Sequence, residues 1–169
     1  AISTARAGNV IGGGDFAENR IIPDCIRAAY KSQEIIVRNP YSIRPYQHVL
    51  EPLYVYLMIA KAQCENIEFA GYYNVGPDEC DCITTGDLVD LFCKEWGNGQ
   101  AWKNVCNQGP HEAQFLKLDC SKLKNTFGWG PRWQITEAVV KTVEWAKVYE
   151  QNDSIVDCME KQIRLFMLG

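Results

Sequence analysis

The sequence has only two histidines in 169 residues, and none of the patterns that put such residues to catalytic use. It contains no HExxH for a metal, no GxSxG for an activated serine and no CxxC pair among its eight cysteines. Gly8, Gly12, Gly13 and Gly14 do not form GxGxxG, and no Lys-Ser or Lys-Thr pair follows them, so neither a dinucleotide fingerprint nor a Walker A nest is written here. The longest apolar run, Leu53 to Ala60, is far shorter than the ~20 residues of a membrane-spanning helix. An excess of positive charge is lacking too. Seventeen Lys and Arg stand against 21 Asp and Glu, a net charge of -4, which gives no reason to expect nucleic acid or an anionic membrane as partner. Repeats, charge blocks and low-complexity linkers are absent.

What is present is ordinary for a soluble globular domain with a real core: 47% hydrophobic and 22% charged residues. The chain opens without a basic, then apolar, then small-residue signal segment, and a reducing, cytoplasmic setting is expected. Cys25, Cys93 and Cys158 fall where a helical apolar face takes a small hydrophobe. Cys80 and Cys82 with His111 are a weak zinc pattern, and incidental thiols are the expectation. Asn152-Asp153-Ser154 matches a glycosylation sequon that has no meaning in a cytosolic protein.

The opening AISTARAGNVIG reads as a buried strand running into a glycine loop, with no nearby strand to pair with, so its sheet is expected in a missing N-terminal part. A helix is expected around Pro23 up to Lys31, a strand over Glu34 to Arg38, and extended chain around Arg44, which precedes Pro45. Pro52 starts a second helix, expected to be central, with Leu53, Tyr56, Leu57, Ala60 and Cys64 on its buried face. GYYNV is a further strand. Thr84 and Asp87 form a capping box before a helix that Gly97 ends. Asp119 caps a short helix to Gly128, Thr136 a longer one, and a last helix follows Asp153 with Ile155, Val156, Met159, Ile163 and Phe166. The expected class is α+β: a mainly helical lobe with a few short strands behind one orphan strand.

Few side chains suggest chemistry. Asn9, where the first strand meets the glycines, could donate to a phosphate or hydroxyl or could hold its own turn, and residue type alone favours the turn. Arg44 on stiff extended chain could grip a pyrophosphate through paired hydrogen bonds, or pair with Glu51 or Asp78, and residue type does not choose. His48 lies in an apolar run and reads as a core histidine. His111, beside Glu112 in GPHEA, is a weak acid–base candidate. The five tryptophans read as core plugs, because no basic groove interleaves them.

The segments STARAGNVIGGGDFAENRIIPD, RNPYSIRPYQHVLEPL, YNVGPDE and PHEAQFLKLDCSKLKNTFGWGPRW resemble, in order and spacing, the C-terminal half of CDP-glucose 4,6-dehydratases. These are sugar-nucleotide enzymes of the extended short-chain dehydrogenase/reductase superfamily. The resemblance runs to about Trp145. It implies a relay in which NAD takes hydride from C4 of CDP-glucose, water leaves from C5 and C6, and hydride returns to C6 to give CDP-4-keto-6-deoxyglucose. It also implies that residues 1–16 are the last part of a Rossmann (α/β) domain and 17–169 the nucleotide-sugar-binding domain. Asn9 would then face the sugar diphosphate across the glycine loop, and Arg44 would clamp the pyrophosphate. Arg20 and His111 would be nucleotide-side contacts. The family's GxxGxxG cradle for NAD and its YxxxK pair do not occur in this chain. No catalytic residue and no metal site are therefore assigned, and the chain alone is expected to be inactive. A homo-oligomer is expected. The alternatives are a non-catalytic nucleotide-sugar-binding module, a helical interaction domain with a vestigial pocket, or another dehydratase or epimerase of the superfamily.

Overall fold

A computed structural model describes residues 1–105 and 115–169. The chain opens with β1 (Thr4–Ala7) and, after Gly8, β2 (Asn9–Ile11). Gly8 lets the backbone pass close to Pro45, because a Cβ there would lie 2.8 Å from the Pro45 carbonyl oxygen. In α1 (Ile21–Tyr30), Pro23 sits in the first turn, where the amides have no intrahelical partner, and Ile22, Cys25, Ile26 and Ala29 are buried. Next come β3 (Ile35–Val37), β4 (Ile43–His48), α2 (Leu50–Glu65), β5 (Tyr72–Val75) and β6 (Cys82–Thr84). α3 (Thr85–Trp96) starts on the expected capping box. The Thr84 hydroxyl accepts from the Asp87 amide at 3.0 Å, and the Asp87 carboxylate accepts from the Thr84 amide at 3.3 Å. Gly97 ends it at φ 78°. The chain closes with β7 (Trp102–Asn104), α4 (Ser121–Phe127), α5 (Ile135–Glu150) and α6 (Ile155–Leu168).

Among the described residues the strands form three small sheets: β1 parallel to β5; β2 parallel to β4, with β6 antiparallel on its other edge; and β3 parallel to β7. Two cores result. The larger joins α1, α3 and α5 to β2, β3 and β4 through Ile22, Ile26, Leu88, Phe92, Val139 and Val143. The smaller joins α2 and α4 to β5 through Val55, Ile59, Tyr73, Val75, Leu123 and Trp129.

The α+β class, mainly helical with short strands, is what the structure shows. Four expectations need correction. The first strand is not an orphan, since residues 4–7 pair in register with 72–75. The faces of α2 are reversed: Val55 and Ile59 are buried, whereas Leu53, Tyr56, Leu57, Ala60 and Cys64 point outward, with Leu57 72% exposed. α6 buries Cys158, Gln162 and Phe166 and leaves Val156, Met159 and Ile163 exposed. Thr136 lies inside α5 rather than at its cap, because α5 begins at Ile135 and has no capping side chain of its own.

The amides leading into α5 are satisfied from a distance. One oxygen of the wholly buried Glu51 accepts from the Arg132 and Trp133 amides, each at 2.8 Å, and the Asp81 carboxylate accepts from the Ile135 amide. The Arg132 side chain then donates to the Phe166 and Met167 carbonyls at the end of α6, with its guanidinium over the Tyr54 ring. Removing the Glu51 carboxylate strands two half-buried donors. Glu51→Ala is expected to cost about 3 kcal/mol in urea unfolding, and Glu51→Gln, which keeps an acceptor, much less. Equal losses in the two variants would show that the carboxylate oxygen is not what holds the turn. The outward apolar rows of α2 and α6 give a second expectation. The isolated chain self-associates in light scattering, and Leu57→Lys with Ile163→Lys returns it to a monomer. A monodisperse wild-type monomer is the contrary outcome.

Candidate functional site

A cleft of about 1650 Å³ runs from the end of β1 and β2 past the start of α1 to β3 and β7, and it gathers Asn9, Arg20 and Arg44 among its lining residues. Asn9 pairs with Tyr46 in the β2–β4 register, so the strand that carries Asn9 is hydrogen-bonded to the strand that carries Arg44. β4 is paired on both edges, and Arg44 sits opposite Ile83 of β6. The Arg44 guanidinium donates to the Ile43 carbonyl at 2.9 Å. Both carboxylates considered as its surface partners are engaged elsewhere, Glu51 by the α5 turn and Asp78 by Lys124. Arg20 immediately precedes α1 and pairs with Asp15 at 3.2 Å. His111 lies outside the described residues, and so does the zinc pattern that required it. Among the described residues no group of three or more His, Cys, Asp or Glu is placed to hold a metal.

The glycine loop has a different physical reason from the one its composition suggested. A Cβ on Gly12 would come 2.8 Å from Val49, and a Cβ on Gly13 would sit inside the Trp145 indole. The loop is therefore bare on the side that lies flat against α5. Above it the Phe16 ring packs on Tyr149 at 5.3 Å, and Tyr149 stacks on Trp145 at 5.3 Å. These glycines face packed side chains of the protein itself. They do not form an open cradle, and among the described residues no other glycine loop between strand and helix offers one, so the residues present do not fit NAD.

Part of the cleft floor was not anticipated from the sequence. Ser42, Tyr46 and Thr85 line it as a hydroxyl cluster, with Thr85 Oγ1 2.9 Å from Ser42 Oγ and 3.1 Å from the Tyr46 hydroxyl. Thr85 stands beside a capping residue and Tyr46 in an extended run, so no motif flagged their meeting.

The fold that presents this cleft is shared with solved sugar-nucleotide enzymes. The UDP-glucose-4-epimerase of Stenotrophomonas maltophila, with bound NAD and formylated UDP-arabinopyranose, superimposes with a TM-score of 0.74 at 16% identity, over 89% of this chain and 49% of that one. The dTDP-glucose 4,6-dehydratase of Bacillus anthracis in complex with NAD gives 0.69 at 17% identity, over 87% and 45%. These likenesses show that the chain shares its fold with about half of each of those enzymes. In sequence the chain is 42% identical, over 98% of its length, to the CDP-glucose 4,6-dehydratase of Salmonella typhimurium strain LT2. The relationship read from the motifs is borne out by that match. The chain spans about half the length of these relatives, 46% in the case of the Salmonella enzyme. No family model matches the chain. Among the described residues no helix is long and apolar enough to cross a membrane.

His48 lies directly behind the glycine loop, 2% exposed, with Nδ1 accepting from the Leu50 amide at 3.3 Å and Trp133 edge-on to its ring. It is a core histidine, as its apolar context suggested. Burial, aided by the Lys141 charge, pushes its pKa down from 6.5 to about 4. The unfolded chain therefore binds a proton between these values that the fold refuses, and stability falls as pH drops through that window. The Glu51 carboxyl, raised by burial, acts in the opposite sense. Comparison with His48→Asn, which keeps an acceptor for Leu50, isolates the histidine. From about pH 7 to about pH 4 the wild type is expected to lose about 3 kcal/mol more than the variant. Parallel stability curves would mean that His48 protonates freely in the fold.

Proposed function

We propose that the chain is the nucleotide-sugar-binding portion of an NAD-dependent CDP-glucose 4,6-dehydratase, one that holds CDP-glucose while residues 17–169 supply most of the contacts. The observation that carries this reading is the single cleft that brings Asn9, Arg20 and Arg44 together from three different elements. In this reading Arg44 grips the diphosphate, because its guanidinium is carried on a strand paired at both edges and loses little freedom on binding. Arg20 and the start of α1 add a charge and unpaired amides to the same region. Asn9 donates toward the sugar side, and His111, outside the described residues, is a nucleotide-side candidate by resemblance alone. The residues that transfer hydride and protons belong to other parts of such an enzyme, so the isolated chain binds without turnover.

Among the described residues five cations line the cleft, Arg20, Arg27, Lys31, Arg38 and Arg44, against the four carboxylates Asp15, Glu18, Asp24 and Glu34. The excess is one charge, too little for a diffuse field to capture a dianion, so affinity must come from directed hydrogen bonds. Calorimetric titration with CDP, UDP, dTDP and NAD tests this. CDP is expected to bind most tightly and NAD not at all. Arg44→Ala should weaken CDP binding roughly tenfold to hundredfold with an unchanged melting temperature. Equal affinity for all four ligands, or for none, would sink the CDP-sugar reading.

A further inference from the structure

The loop between β2 and α1 carries Arg20 into the cleft, and side chains rather than a strand ladder hold it there. Arg27, in α1, reaches back to it: Nη1 donates to the Phe16 carbonyl at 3.1 Å and Nη2 to the Ala17 carbonyl at 3.0 Å, while Asp24 accepts from Nη2 as well. Between that clasp and Arg20 stands Asp15. One of its oxygens accepts from the Ala17 amide at 3.0 Å and the other from Arg20 at 3.2 Å. Asn19, next to Arg20, takes the left-handed conformation at φ 61°, a backbone state that needs its surroundings to hold it. At the other end the loop is pinned by Gly13 on Trp145 and by the Phe16 ring on Tyr149.

We propose that Arg27 is a positioning residue for anion binding. By fixing the Phe16 and Ala17 carbonyls it holds the Asp15 turn, and through that turn it presents Arg20 to the cleft. The inference rests on the reading that the cleft binds a nucleotide diphosphate. A guanidinium is required, because its planar fork reaches two successive carbonyls at once, whereas a lysine ammonium satisfies one at a time. Arg27 also lines the cleft. Its donors, however, are already directed at two carbonyls and a carboxylate, whereas the exposed Arg20 meets a single half-buried carboxylate. Without the clasp the loop samples many conformations, and apparent affinity falls by the fraction in which Arg20 is in place.

A double-mutant cycle on the intact chain reads this directly, with CDP as the calorimetric probe. Arg27→Ala is expected to weaken CDP binding about tenfold in the wild-type background and less than twofold in the Arg20→Ala background, where nothing remains to be presented. Arg44 keeps binding measurable throughout. Arg27→Lys should fall between wild type and Arg27→Ala, and it carries the same cycle if the alanine variant does not fold. A loss of the same size in both backgrounds would overturn the proposal, because Arg27 would then touch the ligand itself or support the fold at large. Wild-type affinity in Arg27→Ala would overturn it too. A wild-type chain with no affinity for CDP defeats the diphosphate reading and this inference with it, a result visible before any variant is made.

Discussion

A carboxylate sealed from water joins the two cores of this protein. Glu51 belongs to α2, which packs on β5 and α4, yet its oxygen holds the amides of Arg132 and Trp133 at the start of α5, a helix of the other core. Burying a carboxylate is costly unless it is hydrogen-bonded, and two amide donors on one oxygen are the compensation found here. The second oxygen has no hydrogen-bond partner among the described residues, and neither has Nε2 of nearby His48. Burial raises the pKa of the acid and lowers that of the base. Hydrophobic contact alone does not set the angle between the cores. Gln47 adds a second directional link, its amide nitrogen donating to the Val75 carbonyl of β5 at 2.9 Å.

From that joint the geometry of the cleft follows. Gln47 and His48 end β4, Arg44 lies toward its start, and Glu51 follows in the first turn of α2. Any slip of β4 would therefore move Arg44 and tear the buried polar contacts together. β2 is locked to the same strand, and the Ile11 carbonyl accepts from the Val49 amide at 2.8 Å, just where β4 gives way to α2. The loop that leaves β2 is pressed on Trp145 of α5, the helix whose lead-in, at Arg132 and Trp133, Glu51 holds. Side chains that face the cleft are thus carried on backbone whose conformation was settled before any ligand arrives, which lowers the ordering cost of binding.

How much of this was legible depended on whether the cause was local. α1 and α3 were readable because a proline, a capping box and a terminal glycine lie within a few residues of the boundaries they set. β6 and β7 were not, since three residues are too few to show a period. α2 is apolar on most sides, so its own pattern could not say which side a neighbouring sheet would cover, and the packing against Tyr73 and Val75 decided it. The cap of α5 was misread for a related reason. Thr136 is a reasonable capping residue, but the chain enters the helix one residue earlier, with the Arg132 and Trp133 amides held by Glu51 and the Ile135 amide by Asp81, both remote in sequence. Likewise the β1–β5 pairing joins segments separated by most of a core, and nothing near residues 4–7 announces it. For the site, residue type left Arg44 undecided. Only the resemblance singled it out, and the fold then set it in one cleft with Asn9 and Arg20.

The charge pattern of the cleft bears on why the loop before α1 is built with such care. Cations and carboxylates there nearly balance, and two of the carboxylates, Asp15 and Asp24, are themselves bonded to Arg20 and Arg27. A ligand phosphate would compete for Arg20 with an exposed carboxylate pair of the kind that contributes little, so exchanging one anion for the other costs little. What decides the exchange is the second and third hydrogen bond a phosphate can make at a fixed position, and those require the loop to be in register. A cleft with a large positive surplus could tolerate a loose loop, because long-range attraction would compensate for poor geometry. Among the described residues this one has a surplus of a single charge, and the glycines against Trp145, the Asp15 turn and the Arg27 clasp fix the geometry on which directed contacts would depend.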